Sequence, residues 1–433
     1  MHLKYRKTCR ACGSTSLTKV IDLGVQHLQG GFLDPKAPVD YSNRKIPMSL
    51  VRCDSSVDEK ACGLLQTDHG VPPELMYRRY WYRSGTNQTM KSHLESIVYT
   101  AANMHAGVIS NALDIGCNDG TLLGFYDSNT KLVGIDPSNI IPESNDAVTY
   151  IRDFFPSEEL RVKFPSSKFD VITSIAMFYD LDDPGAFVAE IARLLSPNGL
   201  WVVEVSYMPQ MIEQGSYDSI CHEHLLYFSL ASLEGLFEKH NLQIVRAELN
   251  DMNGGSIRCF VTHKSCLDYK NEEDLSYLQL IRVKEFDQEL DTNQPYLRFQ
   301  ALVEENRHEL SELVRYLRAQ GKKIHLYGAS TKGNTILQWC NLTADEIEYA
   351  ADRNPAKNGL ITPGSRIPIV SEEESRSMNP DYYLVLPWHF RAEFLERERD
   401  AIARGVKFIF PLPRVEIFGK DGAKSSDRSL QPA

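Results

Sequence analysis

Three consecutive residues have the chemistry to move a proton. His222, Glu223 and His224 stand together in YDSICHEHLLYFSLASLEGLF, residues 217–237, with Tyr227 just behind them and an apolar-periodic helix following. An imidazole titrating near ~6.5 suits a general base at neutral pH, and a neighbouring carboxylate can fix its tautomer. Such a base can remove a proton beside a carbonyl while a tyrosine or backbone donor steadies the enolate that forms. Two plainer readings compete. His-x-His on one strand face is a common metal spacing, although no third ligand stands nearby, and a polar loop can pack without chemistry. Cys221, directly ahead, is a conceivable nucleophile, but no covalent step is needed and a packing thiol suits it better.

A second set of residues is made for metal. Cys9 and Cys12 form C-x-x-C followed by Gly13, and Cys53 and Cys62 form a looser pair followed by Gly63. Two such knuckles suit a tetrahedral Zn–S4 site, structural because four thiolates leave no position open. Metal binding would also supply folding free energy to a segment too short for a large core. The alternative is four buried, unliganded thiols.

The elements that must position these groups follow from about residue 110. NALDIGCNDGTLL reads as a short strand from Ala112 to Ile115, a glycine turn and a helix start; KLVGIDPS is a second strand ending in Asp136. FDVITSIAMF and DPGAFVAEIARLLSPNGLWVVEV add a third strand, an amphipathic helix and a fourth strand. This rhythm predicts an open, mostly parallel α/β sheet whose ligands lie beyond the carboxyl ends of its strands. The turn Gly116-Cys117-Asn118-Asp119-Gly120, with Asp114 before it, suits a pyrophosphate poorly, because a dinucleotide asks for G-x-G-x-x-G. It suits S-adenosylmethionine: Asp136 for two ribose hydroxyls, Asp153 for an exocyclic amine, Phe154 for an adenine face.

Residues 270–320 read as one or two amphipathic helices with chiefly solvated charge faces. A second α/β unit follows, from KKIHLYGASTKGNTILQWC to VKFIFPLP. Its Gly328–Gly333 turn, with Lys332, is a candidate phosphate cradle; an ordinary tight turn is the alternative. This unit lacks the acid and the spacing for an independent dinucleotide. NGGSIR at 253–258 reads as a glycine hairpin, with Ser256 and Arg258 facing a substrate. Residues 419–433 read as a disordered tail, and no internal repeat is visible.

The chain has 433 residues, of which 42% are hydrophobic and 24% charged. That length and composition suit two or three ordinary globular domains. A net charge of −11 argues against a nucleic-acid binder. No apolar stretch follows the opening charges as in a signal peptide, and no run of about 18 apolar residues spans a membrane. Nine scattered cysteines, an odd number, argue for a reducing, cytoplasmic home.

Taken in order, CRACG, YWYRSGTNQTMKSH at 80–93, LDIGCNDGTLL, VGIDPS, HEHLLYFSL, NGGSIR and YGASTKGNTIL at 327–337 resemble the three-domain sugar C-methyltransferases that act on nucleoside-diphosphate deoxysugars. The resemblance runs from Cys9 to about Phe418. It implies zinc on the four cysteines, His224 as the base with Glu223 beside it, and an aromatic loop carrying Tyr80 and Tyr82 that closes over cofactor and sugar. It also implies that the last domain helps hold the nucleoside diphosphate, through Lys332 and Asn354. Three positions depart from the family: Cys221 replaces a tyrosine, and Ala176 and Asp180 replace an asparagine and a histidine. All three would lie on the sugar side, together with His222.

The expectation is therefore a zinc-binding domain (1–79), a class I methyltransferase domain of Rossmann-like fold (80–266), a helical linker with a Rossmann-like α/β domain (267–418), and a tail. It would act as a monomer. O- or N-methylation, or a non-catalytic scaffold, are the alternatives.

Overall fold

The computed structural model describes residues 3–36, 44–78, 80–105, 107–269 and 271–425. The first segment builds β1 (Lys4–Tyr5), β2 (Leu17–His27), β3 (Lys45–Cys53), β4 (Leu65–Thr67) and β5 (His69–Gly70), then the short helix α1 (Pro73–Tyr77) and α2 (Gln88–Met104). Asn87 caps α2, its side chain accepting from Thr89 N at 2.8 Å. The cap satisfies an N–H that the helix cannot use.

The central unit contains β6 (Asn111–Ile115), β7 (Lys131–Ile135), β8 (Val148–Ile151), α3 (Glu158–Lys163), β9 (Phe169–Ile175), α4 (Pro184–Leu194), β10 (Leu195–Ser206), α5 (Met208–Gln214), β11 (Leu226–Tyr227), α6 (Leu230–Glu238), β12 (Leu242–Asn250) and β13 (Ser256–His263). Its sheet runs β12-β13-β10-β9-β6-β7-β8, parallel from β8 to β10 and antiparallel at β13 and β12. Covered on both faces, β10 buries Leu200 to Val205 without alternation, the mark of a two-sided strand. The sequence predicts a helix directly after the Gly116–Gly120 turn; a single 3-10 turn, Leu122–Phe125, stands there instead, with the poor helix former Gly124 inside it.

Two helices, α7 (Glu272–Asp287) and α8 (Gln294–Ala319), lead to the last unit: β14 (Ile324–Tyr327), α9 (Thr331–Trp339), β15 (Tyr349–Asp352), β16 (Ile369–Ser371), β17 (Tyr382–Val385), β18 (Lys407–Phe410), β19 (Glu416–Gly419) and β20 (Gly422–Ser425). Its sheet runs β16-β15-β14-β17-β18-β19-β20. Both large sheets thus place their strands third, second, first, fourth, fifth, a repeat that the sequence hides and the topology displays. The tail expectation fails for residues 419–425, which complete an antiparallel hairpin at the sheet edge; residues 426–433 lie outside the described part.

The units share cores. α8 buries Tyr296, Phe299, Val303 and Leu310 against Val20, Ile21 and Leu50 on one side and the β14–β18 sheet on the other. Each such side chain contributes about 1.5–3 kcal/mol. α7 does not show the expected charge face: Leu275, Tyr277, Leu280, Val283 and Phe286 are exposed. No helix among the described residues is long and apolar enough to cross a membrane.

Candidate active site

The two cysteine knuckles meet. The four Sγ atoms of Cys9, Cys12, Cys53 and Cys62 lie within 4.8 Å of one another, with Cys9 to Cys62 at 3.6 Å and Cys12 to Cys53 at 3.4 Å. Zn–S bonds of ~2.3 Å in a tetrahedron place sulfurs roughly 3.8 Å apart, so this donor set fits zinc. The eight residues between Cys53 and Cys62 loop out, and Gly63 N turns back to Cys53 O at 3.1 Å.

At the carboxyl ends of β6 and β7, Gly116 takes a φ of 74°, and a Cβ there would come within 2.8 Å of Met177; only glycine lets this turn close. Asp136 is buried, its two oxygens accepting Asn118 N at 3.0 Å and Ser138 N at 2.8 Å. Each oxygen retains a lone pair for a ribose hydroxyl. Asp153 is similarly braced by Phe154 N (2.9 Å) and Ser157 Oγ (2.8 Å), and the Phe154 ring lies 4.8 Å below the Arg78 guanidinium. Asp114 is buried deeper, bonded by Thr173 Oγ1 at 2.6 Å, and burial pushes its carboxyl up to about 7. Asn118 points its side chain elsewhere: it accepts Ser84 N and donates to Tyr82 O, so that the aromatic loop is tied over the glycine turn. Gly85 N on Asp119 and Asn354 Nδ2 on Trp81 O add two further ties. These residues fit S-adenosylmethionine in offering an acid and then an aromatic ring in the expected order, with the Arg78 guanidinium over the Phe154 ring.

His224 sits where three units meet. β11 is the fourth strand of the β2-β3-β4 sheet, Leu226 opposite Gln66 and Tyr227 opposite Leu65. The His224 Nδ1–H donates to Ser219 O at 2.7 Å, and its ring meets the Tyr179 ring edge-on at 4.4 Å. That carbonyl accepts only the Nδ1–H tautomer and leaves the Nε2 lone pair without a partner among the described residues. The expected setter of this tautomer is Glu223; Ser219 does so instead, because the Glu223 side chain turns toward Gly30, where no Cβ would fit. Burial lowers the His224 pKa to about 3, and the nearby Lys332 ammonium acts in the same direction.

Other expected groups are placed differently. His222 faces away, its Nδ1 on Gln29 Oε1 at 2.5 Å and its ring 5.8 Å from His69, which fastens the segment to the first domain. Neither histidine has the open geometry of a metal pair. Cys221 is fully buried and burial pushes its thiol up, which suits packing rather than attack. Tyr82 is 44% exposed and lies near Asp119, while Tyr77, Tyr80 and Tyr179 are the phenols near Glu223 and Asp180. Arg258 does not face a substrate: it is buried between Glu204 (2.9 Å) and Glu248 (3.2 Å). Ser256 donates inward to Met252 O at 2.9 Å. A basic residue after a glycine hairpin reads alike whether it serves a ligand or an internal ion pair.

The Gly328 turn is less open than a phosphate cradle needs. Gly328, Ala329 and Gly333 N–H groups are taken by Ala351 O, Asp352 Oδ2 and Ser330 Oγ. Asp352, at the end of β15, is the acid the sequence reading missed; it braces Ala329 N and Asn354 N as Asp136 braces Asn118 N and Ser138 N. Lys332 reaches across to Asn253 O at 2.7 Å, near Asp218, which accepts from Trp388 Nε1 at 2.9 Å. His389 stands beside it, held down to about 3 by burial and the Lys332 charge. Nothing in the sequence marked Asp218, Ser219 or His389, whose roles arise from contacts across domains.

Three family models match the chain in series: "Putative zinc binding domain" over residues 9–77, "Methyltransferase domain" over 86–247 and "C-methyltransferase C-terminal domain" over 251–413. The C-methyltransferase NovU of Streptomyces niveus is 29% identical over 430 residues, covering 95% of this chain and 97% of that protein. Among solved structures, the methyltransferase in complex with the Haloferax volcanii Trm112 activator is 17% identical, with a TM-score of 0.34 over 41% of this chain and 92% of its own. Magnesium protoporphyrin IX methyltransferase (ChlM) from Synechocystis PCC 6803 with bound SAH is 11% identical, with a TM-score of 0.32 over 41% of this chain and 88% of its own.

Proposed function

Because the chain belongs to the three-part, zinc-containing C-methyltransferases that use S-adenosylmethionine, we propose that it methylates a carbon beside the carbonyl of a nucleoside-diphosphate-linked keto-deoxysugar, with His224 as the general base. The observation that carries this reading is the Ser219 carbonyl on His224 Nδ1. It fixes a neutral imidazole with its Nε2 lone pair free, the form a base needs.

S-adenosylmethionine supplies an electrophilic methyl when bound. Asp136 and Asp153 orient it through its ribose and adenine. His224 Nε2 takes the α-proton, and a nearby donor holds the enolate oxygen. The remote nucleotide lies toward Lys332, His389 and Thr331, where the last unit faces the central one, and its binding energy positions the small reacting ring. Asn354 acts there by holding the aromatic loop through Trp81 O. Zinc in the first unit is structural, since its four thiolates close the coordination shell.

Incubation with labelled S-adenosylmethionine and a panel of nucleoside-diphosphate keto-sugars, with mass spectrometry of the products, tests the reaction. In D2O without cofactor, the accepted sugar should take up deuterium at the α-carbon. An O- or N-methyltransferase gives no such wash-in, and a scaffold transfers no label.

A further inference from the structure

We propose that Asp180 works as a protonated acid, donating a hydrogen bond to the substrate's carbonyl oxygen and steadying the enolate that His224 creates. The proposal rests on the C-methyltransferase reading above and names the donor that reading leaves open.

Asp180 closes the turn Phe178–Asp180 that follows β9, one residue from the Tyr179 ring against which His224 packs. The Leu225 N–H donates to Tyr179 O at 2.9 Å, which lays this turn against the histidine segment. Its Oδ1 is sealed from solvent and has no hydrogen-bond partner among the described residues. A buried polar atom without a partner costs about 1–3 kcal/mol, a cost a substrate oxygen would relieve. The Tyr77 hydroxyl donates to the main-chain carbonyl of Glu223 at 2.9 Å, and its interaction with the Asp180 carboxyl acts against protonation, though less than burial and the Glu223 charge act for it.

The surroundings favour the acid form. Glu223 is 7% exposed, and its charge acts on the Asp180 carboxyl. The other titratable groups facing Asp180 are Tyr77 and Tyr80 from the α1 end, Tyr179 on its own turn, and Cys221 and Tyr227 from the histidine segment. None is a cation, and among the described residues no lysine, arginine or histidine makes an ion pair with either acid. Asp180 is part-buried with its Oδ1 sealed from solvent, and beside an ionised carboxyl such an acid keeps its proton more firmly. Burial and Glu223 hold Asp180 well above the usual carboxylate range, while Glu223 lies at about 7. Above neutral pH the pair then carries one charge, on Glu223, and one proton, on Asp180. A neutral acid in an apolar site is a strong donor to an oxygen that gains charge in the transition state.

The step balances without a further reactant. His224 Nε2 accepts the α-proton, and the C–H electron pair becomes the enolate double bond while the carbonyl pair moves to oxygen. Asp180 holds that oxygen. As the oxygen pair re-forms the carbonyl, the carbon uses the enolate pair to bond the methyl, and the old S–C pair leaves with sulfur. Asp180 keeps its proton, and His224 returns its own to solvent.

The test uses the full zinc-loaded chain with Asp180→Asn and Asp180→Ala, each checked for S-adenosylmethionine binding by calorimetry. Asp180→Ala should lower kcat by ~10²–10³-fold with KM little changed. Asp180→Asn still donates and should retain kcat within about tenfold, and it should lose the wild type's fall in rate at alkaline pH. Infrared spectroscopy at pH ~8 should show a protonated carboxyl band in the wild type that Asp180→Asn lacks. Wild-type kcat in Asp180→Ala overturns the proposal. So does an Asp180→Asn variant as poor as Asp180→Ala with its loss in KM, the signature of a carboxylate binding a cationic substituent. Absence of the infrared band also overturns it. If no keto-sugar is methylated, the reaction reading fails, and the band still answers for Asp180.

Discussion

Catalysis should persist far into acid, because His224 is held neutral by its burial. The active base is the unprotonated ring, so on the acid side the rate falls when pH drops below the pKa of His224, which lies at about 3. An exposed imidazole at ~6.5 would be about one-tenth neutral at pH ~5.5, and its rate would fall roughly tenfold from the neutral plateau. With a pKa of about 3, all but roughly one ring in 300 stays neutral at that pH, and kcat/KM stays flat. Lys332→Met removes an ammonium that opposes ring protonation, so the acid limb should move upward. His224→Gln should cost ~10²–10⁴-fold, about 2.7–5.5 kcal/mol of barrier. The assay is single-turnover transfer of labelled methyl, paired with deuterium wash-in, from pH ~5 to ~8 with circular dichroism at each point. An acid limb near ~6.5, or full activity in His224→Gln, refutes the reasoning. Stability carries the same sign. Below ~6.5 the unfolded chain takes up a proton that the folded His224 refuses until about 3. Its contribution therefore worsens by about 1.4 kcal/mol per pH unit as pH falls through that window. His224→Gln should accordingly melt relatively higher than wild type at pH ~5 than at pH ~8.

Three other outcomes follow from the same contacts. Plasma mass spectrometry should find one zinc per chain; Cys62→Ser should abolish it and lower Tm, and because β11 pairs with β4, methyl transfer should fall as well, whereas full activity without metal would refute the structural role. Asp136→Asn should weaken S-adenosylmethionine binding ~10–100-fold in calorimetry, from the loss of charge-assisted hydrogen bonds worth ~1.5–3 kcal/mol each; an unchanged Kd would remove this residue from the ribose site. Gly30→Ala drives a methyl into the Glu223 carboxylate and should cost ~1–3 kcal/mol of stability, read as a lowered urea midpoint; no change would mean that Glu223 has room to move.

Much of the scaffold was legible because its signals are local. The apolar runs of β6, β7 and β10 announce two-sided strands, and C-x-x-C followed by glycine announces a metal knuckle. The acid after β7 was legible from spacing alone, yet its counterpart after β15, Asp352, was missed because no glycine fingerprint accompanied it. The remaining errors share one cause. Ser219 acts through a main-chain carbonyl, which every residue has, so no side chain could announce it. Arg258, Ser256 and His222 looked free because their partners, Glu204, Met252 and Gln29, lie far away in the chain or offer only backbone. Tyr77 and Tyr179 gained their place from the approach of three units. The hairpin at 419–425 pairs through its backbone, and its Gly- and Lys-rich composition carried no apolar alternation to reveal it.

The two-residue strand Leu226–Tyr227 completes a sheet whose other members belong to the amino-terminal unit. Anyone building hybrids from relatives of this enzyme must therefore treat residues 217–229 as cargo of the metal module. Cutting at the apparent seam near residue 80 and grafting a foreign head would leave the base two residues ahead of a strand whose hydrogen-bonding edge had been exchanged beneath it. Transplanting head and histidine segment together preserves that edge, and with it the footing of the base.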